Sequence, residues 1–143
     1  KKHELRLLNV NARSILNKSE SIEYLTLLHN PQVVAVTETW LHGDIRSEEV
    51  FPSSYNVLRK DRSNRGGGVA LLIKDKYQYE PLPFISDHES VWCKLVIPDM
   101  TLVIGVIYRP PASPVEYLQK IDEHLSIITN DRIRIILVGD FNL

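Results

Sequence analysis

Polar residues suited to metal and phosphate chemistry follow several apolar, strand-like segments of this sequence. They are Asn11, Glu38, Tyr108, Asp140 and Asn142. Ligands of α/β proteins bind at strand ends, where loops hold polar groups beside a rigid sheet. Oxygen ligands without a Cys/His set favour Mg²⁺ or Mn²⁺ over zinc, and Mg²⁺ commonly uses one or two carboxylates plus a substrate phosphate. The pattern alone also fits ordinary polar loop residues.

Glu38 and Asp140 are the two carboxylates of this set. Glu38 follows the continuous apolar run of residues 33–36, and Asp140 follows the predicted strand 133–138, whose apolar run covers residues 135–138. Such runs are typical of strands buried on both faces of a sheet. Although the two residues lie far apart in the chain, their strands can bring the carboxylates together at one edge of the fold.

The elements that must position these residues fit one α/β unit. Strand patterns cover residues 5–11. Two further strand patterns, 55–60 and 69–74, predict a hairpin or a neighbouring pair, and 91–97 with 102–108 predicts an antiparallel hairpin. Apolar residues at helical spacing predict one helix over residues 17–28 and a second from residue 114 to about residue 128. The predicted capping boxes are Asn17 with Glu20 and Ser113 with Glu116, with Pro114 at the first helical position.

Composition excludes several classes of protein. The 143 residues include 17 Lys+Arg and 18 Asp+Glu, giving a net charge of −1, with 43% hydrophobic residues and one cysteine. These values exclude disordered, collagen-like and disulfide-framed chains. The apolar runs are far shorter than the ~20 residues that cross a bilayer, so no membrane association is expected. The lone Cys93 fits a reducing compartment.

A local basic segment is compatible with the near-neutral net charge. Arg59, Lys60, Arg62 and Arg65 place four cations within seven positions. Clustered positive charge is what phosphate contacts require, so this segment is a candidate for binding a DNA backbone. A solvated loop is the alternative interpretation.

Five short motifs, taken together, indicate a family. They are Asn9-Val10-Asn11-Ala12-Arg13-Ser14, Thr37-Glu38-Thr39-Trp40, Arg65-Gly66-Gly67-Gly68-Val69-Ala70, Val106-Ile107-Tyr108-Arg109-Pro110-Pro111 and Gly139-Asp140-Phe141-Asn142. Their order and spacing resemble the endonuclease/exonuclease/phosphatase superfamily, and within it the endonuclease domain of LINE-type (non-LTR) retrotransposon polyproteins. The resemblance implies a partial two-sheet α/β sandwich flanked by helices, comprising the first half plus the opening strand of the second.

The resemblance also implies roles for the polar set. Glu38 corresponds to the metal-binding glutamate, Asp140 to the aspartate that orients the attacking water, and Tyr108 to the tyrosine that contacts the phosphate. Asn11 and Asn142 resemble the asparagines close to phosphate and metal. The implied cofactor is Mg²⁺, with Mn²⁺ as a substitute. The implied partners are DNA and the reverse-transcriptase remainder of a parent polyprotein, in an intracellular protein that acts in the nucleus.

The superfamily places a second aspartate and a Ser-Asp-His motif after Gly-Asp-Phe-Asn. We therefore expect residues 1–143 to form a single, C-terminally incomplete domain that lacks the general-base histidine and has little or no nicking activity. Ser86-Asp87-His88 spells the same tripeptide but precedes Asp140, so it receives no catalytic role. Residues 133–138 are expected to expose an apolar face.

Two alternative functions remain open at the level of sequence. The first is a phosphoesterase of the same superfamily that acts on inositol phosphates or a phospholipid. The second is a non-catalytic remnant or a DNA-binding piece, for which the basic segment at residues 59–65 is the support.

Overall fold

The computed structural model describes residues 4–63, 65–83, 88–128 and 133–143. Strands and helices alternate irregularly along these residues, and most strands coincide with the apolar segments of the sequence. The elements are β1 (Leu7–Asn11), α1 (Ser19–His29), β2 (Val33–Thr37), α2 (Ser47–Val50), β3 (Tyr55–Lys60), β4 (Val69–Lys74), β5 (Gln78–Pro81), β6 (Glu89–Ile97), β7 (Met100–Tyr108), α3 (Glu116–Ile128) and β8 (Arg134–Asp140).

The strands form two mixed sheets. The first sheet has the order β1-β2-β4-β3 and the second the order β5-β6-β7-β8. Strand β1 is parallel to β2, and β7 is parallel to β8, whereas all other neighbours are antiparallel. Parallel neighbours need a crossover connection, which α1 provides for the first pair and α3 for the second. Both predicted strand pairs are confirmed, since β3 is antiparallel to β4 and β6 is antiparallel to β7.

The sheets pack face to face, and helices cover their outer faces. Because side chains alternate along a strand, Val33 packs in the cluster between the sheets, and Val34 packs on the opposite face with Ile22 of α1. On the second sheet, Trp92 is buried against Ile121 of α3. The predicted two-sheet α/β architecture is therefore confirmed.

Two predicted helix starts are wrong. Lys18 occupies the N-cap position of α1, where no side chain caps the helix, so the predicted cap at Asn17 is absent. Helix α3 begins at Glu116 instead of Pro114, and the Ser113 hydroxyl donates to Pro110 O at 2.6 Å. A hydroxyl bonded to a local carbonyl is no longer oriented toward the helix amides, which explains the later start. The two elements of four residues, α2 and β5, are too short to show periodicity and were not predicted.

Strand β8 lies at one edge of the second sheet. The side chain of Ile135 is 38% exposed, whereas every residue of β2 is buried. The expected exposure of apolar surface on this strand is therefore present. Within the described ranges, no helix has both the length and the apolar character needed to cross a membrane.

Candidate active site

The polar residues of the candidate site come from the ends of four strands. Asn11 is the last residue of β1, Glu38 follows β2 directly, Tyr108 ends β7 and Asp140 ends β8. Since β1 is parallel to β2 and β7 is parallel to β8, each pair brings its carboxyl ends to one edge. The two sheets present these edges to each other, which places the four residues on one rim of the sandwich.

The side-chain amide of Asn11 joins the two carboxylates. Its Nδ2 donates to Glu38 Oε2 at 2.5 Å and to Asp140 Oδ2 at 3.1 Å. The predicted convergence of Glu38 and Asp140 is thus present, and one neutral amide bridges two negative groups from different sheets. Amide N–H groups lower the cost of holding two carboxylates close together, because they donate without adding charge.

Asp140 and Asn142 form a turn that Arg109 holds in place. The Asn142 backbone N–H donates to Asp140 Oδ1 at 3.2 Å, and Asn142 Nδ2 donates to Arg109 O at 2.6 Å. The Arg109 backbone N–H donates to Asp140 O at 2.8 Å, and its guanidinium donates to Asn142 O at 3.0 Å and Ser113 O at 2.7 Å. Arg109 is 9% exposed. These bonds connect the end of β7 to the residues after β8.

Glu38 lies in a turn with unusual backbone geometry. Its φ is 53°, and that of Trp40 is 57°, both in the left-handed region. The turn is held from two sides: Ser14 N–H donates to Glu38 O, while Trp40 N–H donates to Gly67 O at 2.8 Å. Left-handed conformations of such residues persist only where the surrounding structure determines them, so these contacts fix the backbone of the turn that carries Glu38.

Tyr108 stands close enough to both carboxylates to respond to their charges. Its side chain is largely buried, at 7% exposure. Burial raises the pKa of Tyr108 above its ordinary value, the negative charges of Glu38, Glu89 and Asp140 raise it further, and the Arg62 charge lowers it. The phenol therefore keeps its proton at neutral pH and can act as an O–H donor.

The donor set fits a hard divalent cation better than zinc. Glu38 and Asp140 offer carboxylate oxygens, and Asn11 and Asn142 add amide oxygens in the same rim. Within the described part of the chain, no group of three His, Cys, Asp or Glu side chains is placed to hold a metal ion. One or two carboxylates completed by water and phosphate is the arrangement that Mg²⁺ uses, so the residues present fit Mg²⁺ or Mn²⁺.

Most of the predicted DNA-binding cations contact protein groups. Arg59 donates to Ile45 O at 2.6 Å and to Asp61 Oδ2 at 3.1 Å, Lys60 donates to His88 O at 2.5 Å, and Arg62 pairs with Glu89. Arg65 has an exposed side chain. Contact of these four residues with nucleic acid stays a prediction, and Arg65 is the most accessible of them.

Three residues at the site were missed by the sequence analysis. Asn9 donates to Gly139 O at 3.3 Å, next to Asp140, and Arg109 holds the Asp140–Asn142 turn. Glu89 accepts hydrogen bonds from the Arg62 guanidinium and from the Gly68 backbone N–H. Asn9 and Arg109 lie inside motifs already noted, and Asn9 shares a strand face with Asn11, which was an available signal. Glu89 had no such signal.

The Ser86-Asp87-His88 tripeptide lies partly outside the described residues, which omit Ser86 and Asp87. His88 is 3% exposed, and its Nε2 lies 2.9 Å from Tyr117 O. Its ring also packs on that of Tyr117, with centroids 3.7 Å apart. His88 is thus held between β6 and α3.

Comparison with known families agrees with this geometry. A model of the endonuclease/exonuclease/phosphatase family matches residues 8–143. The chain belongs to this family. The resemblance expected from the five motifs is thereby confirmed, as is the fold that it implies.

Two curated relatives of this family member are RNA-directed DNA polymerases of mobile elements. The chain is 26% identical over 140 residues to the probable RNA-directed DNA polymerase from transposon X-element of Drosophila melanogaster, covering 96% of the chain and 15% of that protein. It is 26% identical over 101 residues to the RNA-directed DNA polymerase from mobile element jockey of Drosophila funebris, covering 69% of the chain and 11% of that protein.

A solved structure with the same fold is the endonuclease domain of TRAS1, a telomere-specific non-LTR retrotransposon. The TM-score is 0.73 at 15% sequence identity, over 97% of the chain and 59% of the TRAS1 domain. The chain therefore spans a small part of its curated relatives and about three-fifths of this domain.

Proposed function

We propose that this chain is part of a Mg²⁺-dependent DNA endonuclease domain of a non-LTR retrotransposon polyprotein. The observation that carries the proposal is the Asn11 amide, which donates to both Glu38 and Asp140 at the rim where strands from the two sheets end. The family membership and the mobile-element relatives support the choice of nuclease over other phosphoesterases. A nick in one DNA strand would expose a 3′ hydroxyl that primes reverse transcription, which requires DNA, the polymerase part and a nuclear site of action.

The chain's own residues divide the work of phosphodiester hydrolysis. Glu38 supplies a carboxylate to the metal ion, and Asp140 accepts a hydrogen bond from the attacking water and orients it. Asn142 and Tyr108 donate to phosphate oxygens, and neutral donors avoid repulsion between the phosphate and the site. Asn11 uses both N–H groups of its amide on Glu38 and Asp140, so it holds the two carboxylates beside the phosphate. Bound Mg²⁺ polarises the phosphate and stabilises the leaving oxygen.

We further propose that the 143-residue chain alone nicks DNA weakly or not at all. Among the described residues, Glu38 and Asp140 accept hydrogen bonds from the Asn11 amide and the Asn142 backbone N–H, and no histidine donates to either carboxylate. No described histidine is therefore placed there to remove a proton from the water. The resemblance assigns that task to a histidine in a motif that follows Gly-Asp-Phe-Asn in the family.

Metal binding tests the proposal without depending on turnover. Mn²⁺ titration followed by electron paramagnetic resonance should show binding to the full chain, and Glu38→Gln should weaken it at least about tenfold. Glu80→Gln is the matched control, because Glu80 is an exposed carboxylate that pairs with Lys94 at 3.8 Å. Equal Mn²⁺ affinity in Glu38→Gln and the unmodified chain would refute the assigned metal site.

Plasmid relaxation and substrate competition separate the remaining possibilities. We expect supercoiled plasmid to stay largely intact when it is incubated with the chain and Mg²⁺. If the chain relaxes the plasmid and Glu38→Gln abolishes this activity, the result would support the nuclease and contradict the proposal that the chain alone is weakly active. Duplex DNA should displace a fluorescent oligonucleotide from the chain, whereas an inositol phosphate should not. Displacement by the inositol phosphate at equal concentration would favour the small-phosphoester alternative, and salt-sensitive DNA binding without Mn²⁺ binding would favour the non-catalytic one.

A further inference from the structure

Glu89, the first residue of β6, is a partly buried carboxylate with both oxygens engaged. Its side chain is 16% exposed. Oε1 accepts from Arg62 Nε at 3.1 Å and from the Gly68 N–H at 2.8 Å, and Oε2 accepts from Arg62 Nη2 at 2.8 Å. Two parallel bonds from a guanidinium fix both direction and distance, which a single bond does not. Glu89 belongs to the second sheet, while Gly68 precedes β4 of the first.

The Gly68 contact connects Glu89 to the turn that carries Glu38. The carbonyls of Gly67 and Gly68 accept the backbone N–H groups of Trp40 and Thr39, at 2.8 Å and 3.2 Å. The glycine segment, residues 66–68, lies against the Glu89 carboxylate, since a Cβ at Gly67 would be 2.2 Å from Glu89 Oε1. Glu89 therefore contacts the segment whose backbone holds the two residues after Glu38.

The Arg62 contact extends from Glu89 toward Tyr108. Glu89 pairs with Tyr108 in the β6–β7 register, and the Arg62 guanidinium carbon lies 5.9 Å from the centre of the Tyr108 ring. The negative charge of Glu89 raises the pKa of Tyr108, and the positive charge of Arg62 lowers it. Arg62 is thus held across the ring of a proposed phosphate-contacting residue by a carboxylate from the neighbouring strand.

We propose that Glu89 is a positioning residue of the active site. Its carboxylate joins the two sheets beside the site, fixes the glycine segment that holds the Glu38 turn, and directs Arg62 across Tyr108 instead of toward solvent. The inference deepens the proposed function, because it concerns the residues that orient Glu38 and Tyr108 for that reaction.

Glu89→Ala and Glu89→Gln in the full chain test this role, with Glu80→Ala and Glu80→Gln as exposed controls. The first readout is acrylamide quenching of tryptophan fluorescence. Trp92 is 1% exposed and Trp40 is 38% exposed, so quenching reports Trp40, whose N–H binds the glycine segment. The second readout is the dissociation constant for Mn²⁺, which reports the direction of the Glu38 carboxylate.

We expect Glu89→Ala to increase Trp40 quenching and to weaken Mn²⁺ binding about tenfold, as loss of a residue that orients a metal ligand does. Glu89→Gln keeps an acceptor for Gly68 N–H but loses the charge that holds Arg62, so its effects should be smaller and in the same direction. The Glu80 variants should match the unmodified chain. Circular dichroism verifies that each variant is folded.

Quenching and Mn²⁺ affinity in folded Glu89→Ala that equal those of Glu80→Ala would overturn the inference. If Glu89→Ala does not fold, a folded Glu89→Gln that equals Glu80→Gln in both readouts overturns it as well. The proposed metal site has its own test in Glu38→Gln. Unchanged Mn²⁺ binding in that variant would refute the proposed function, while the quenching result would still decide whether Glu89 fixes the Trp40 turn.

Discussion

Gly139 lies one residue before Asp140 in β8, where the strand approaches β7 closely. Its φ is +130°, and it stands opposite Ile107 in the parallel register. A Cβ built at this position would be 1.9 Å from Ile107 O and 2.9 Å from Ile107 N. The atom in the way is backbone, so no side chain can rotate to make room. Gly139→Ala must therefore separate the two strands at the residue next to the candidate site.

The size of the effect follows from this geometry. The distance from the new Cβ to Ile107 O must increase from 1.9 Å to 3.0 Å, the practical lower limit for a Cβ contact, so the two strands must separate by at least 1.1 Å. Positive φ in a residue with a Cβ costs about 1–3 kcal/mol, and overpacking adds about 1–3 kcal/mol. The combined loss, about 4 kcal/mol of unfolding free energy, lowers the Tm by roughly 12 °C for a domain of this size. The same shift would also break the 3.1 Å bond from Asn11 to Asp140.

Thermal unfolding followed by circular dichroism, together with Mn²⁺ titration, measures both consequences. Gly43→Ala is the matched control, because no atom lies within 4 Å of a Cβ at Gly43. Its stability should change by no more than about 0.5 kcal/mol. A Tm for Gly139→Ala that coincides with that of Gly43→Ala would refute the argument that the close approach of β8 to Ile107 determines the position of Asp140.

Four further outcomes are expected. Arg65→Ala should reduce the salt dependence of duplex DNA binding, measured by fluorescence anisotropy, by about one phosphate contact. Arg59→Ala should lower the free energy of unfolding, measured in urea, by about 2 kcal/mol, because its guanidinium bonds to Ile45 O and Asp61 are lost. The reverse pattern would contradict the assignment of Arg65 as the accessible cation. Burial raises the pKa of the Cys93 thiol to about 12, so Ellman's reagent at pH 8 should react only after unfolding, and rapid reaction of the folded chain would contradict its burial. Burial raises the pKa of Tyr117 from 10.0 to about 12, so the folded state holds this proton more tightly than the unfolded state. The free energy of unfolding contributed by this raised pKa is complete below pH 10 and is lost as pH rises toward 12. The urea midpoint of Tyr117→Phe should therefore fall less at alkaline pH than that of the unmodified chain.

The residues of the candidate site were predictable because their signal is local. Glu38 directly follows the buried strand β2, Asp140 ends strand β8, and the motifs around them are contiguous in the chain. Hydrophobic periodicity likewise predicted most strands and both longer helices, since burial of one face of an element leaves a repeat in the sequence. The predicted start of α3 failed because the Ser113 hydroxyl has a competing partner in Pro110 O, a choice that its neighbours in sequence do not determine.

The sequence by itself determined that this protein is an α/β chain with carboxylates and amides at its strand ends, and its motifs identified the family. Only the tertiary structure decided which groups meet there: that the Asn11 amide lies between Glu38 and Asp140, and that Arg62 is held by Glu89. The physical reason is that these partners are separated by 27 to 129 positions. Their contacts depend on how two crossovers and two packed sheets bring strand ends together, and a hydrogen bond between distant residues leaves no periodic pattern in the chain.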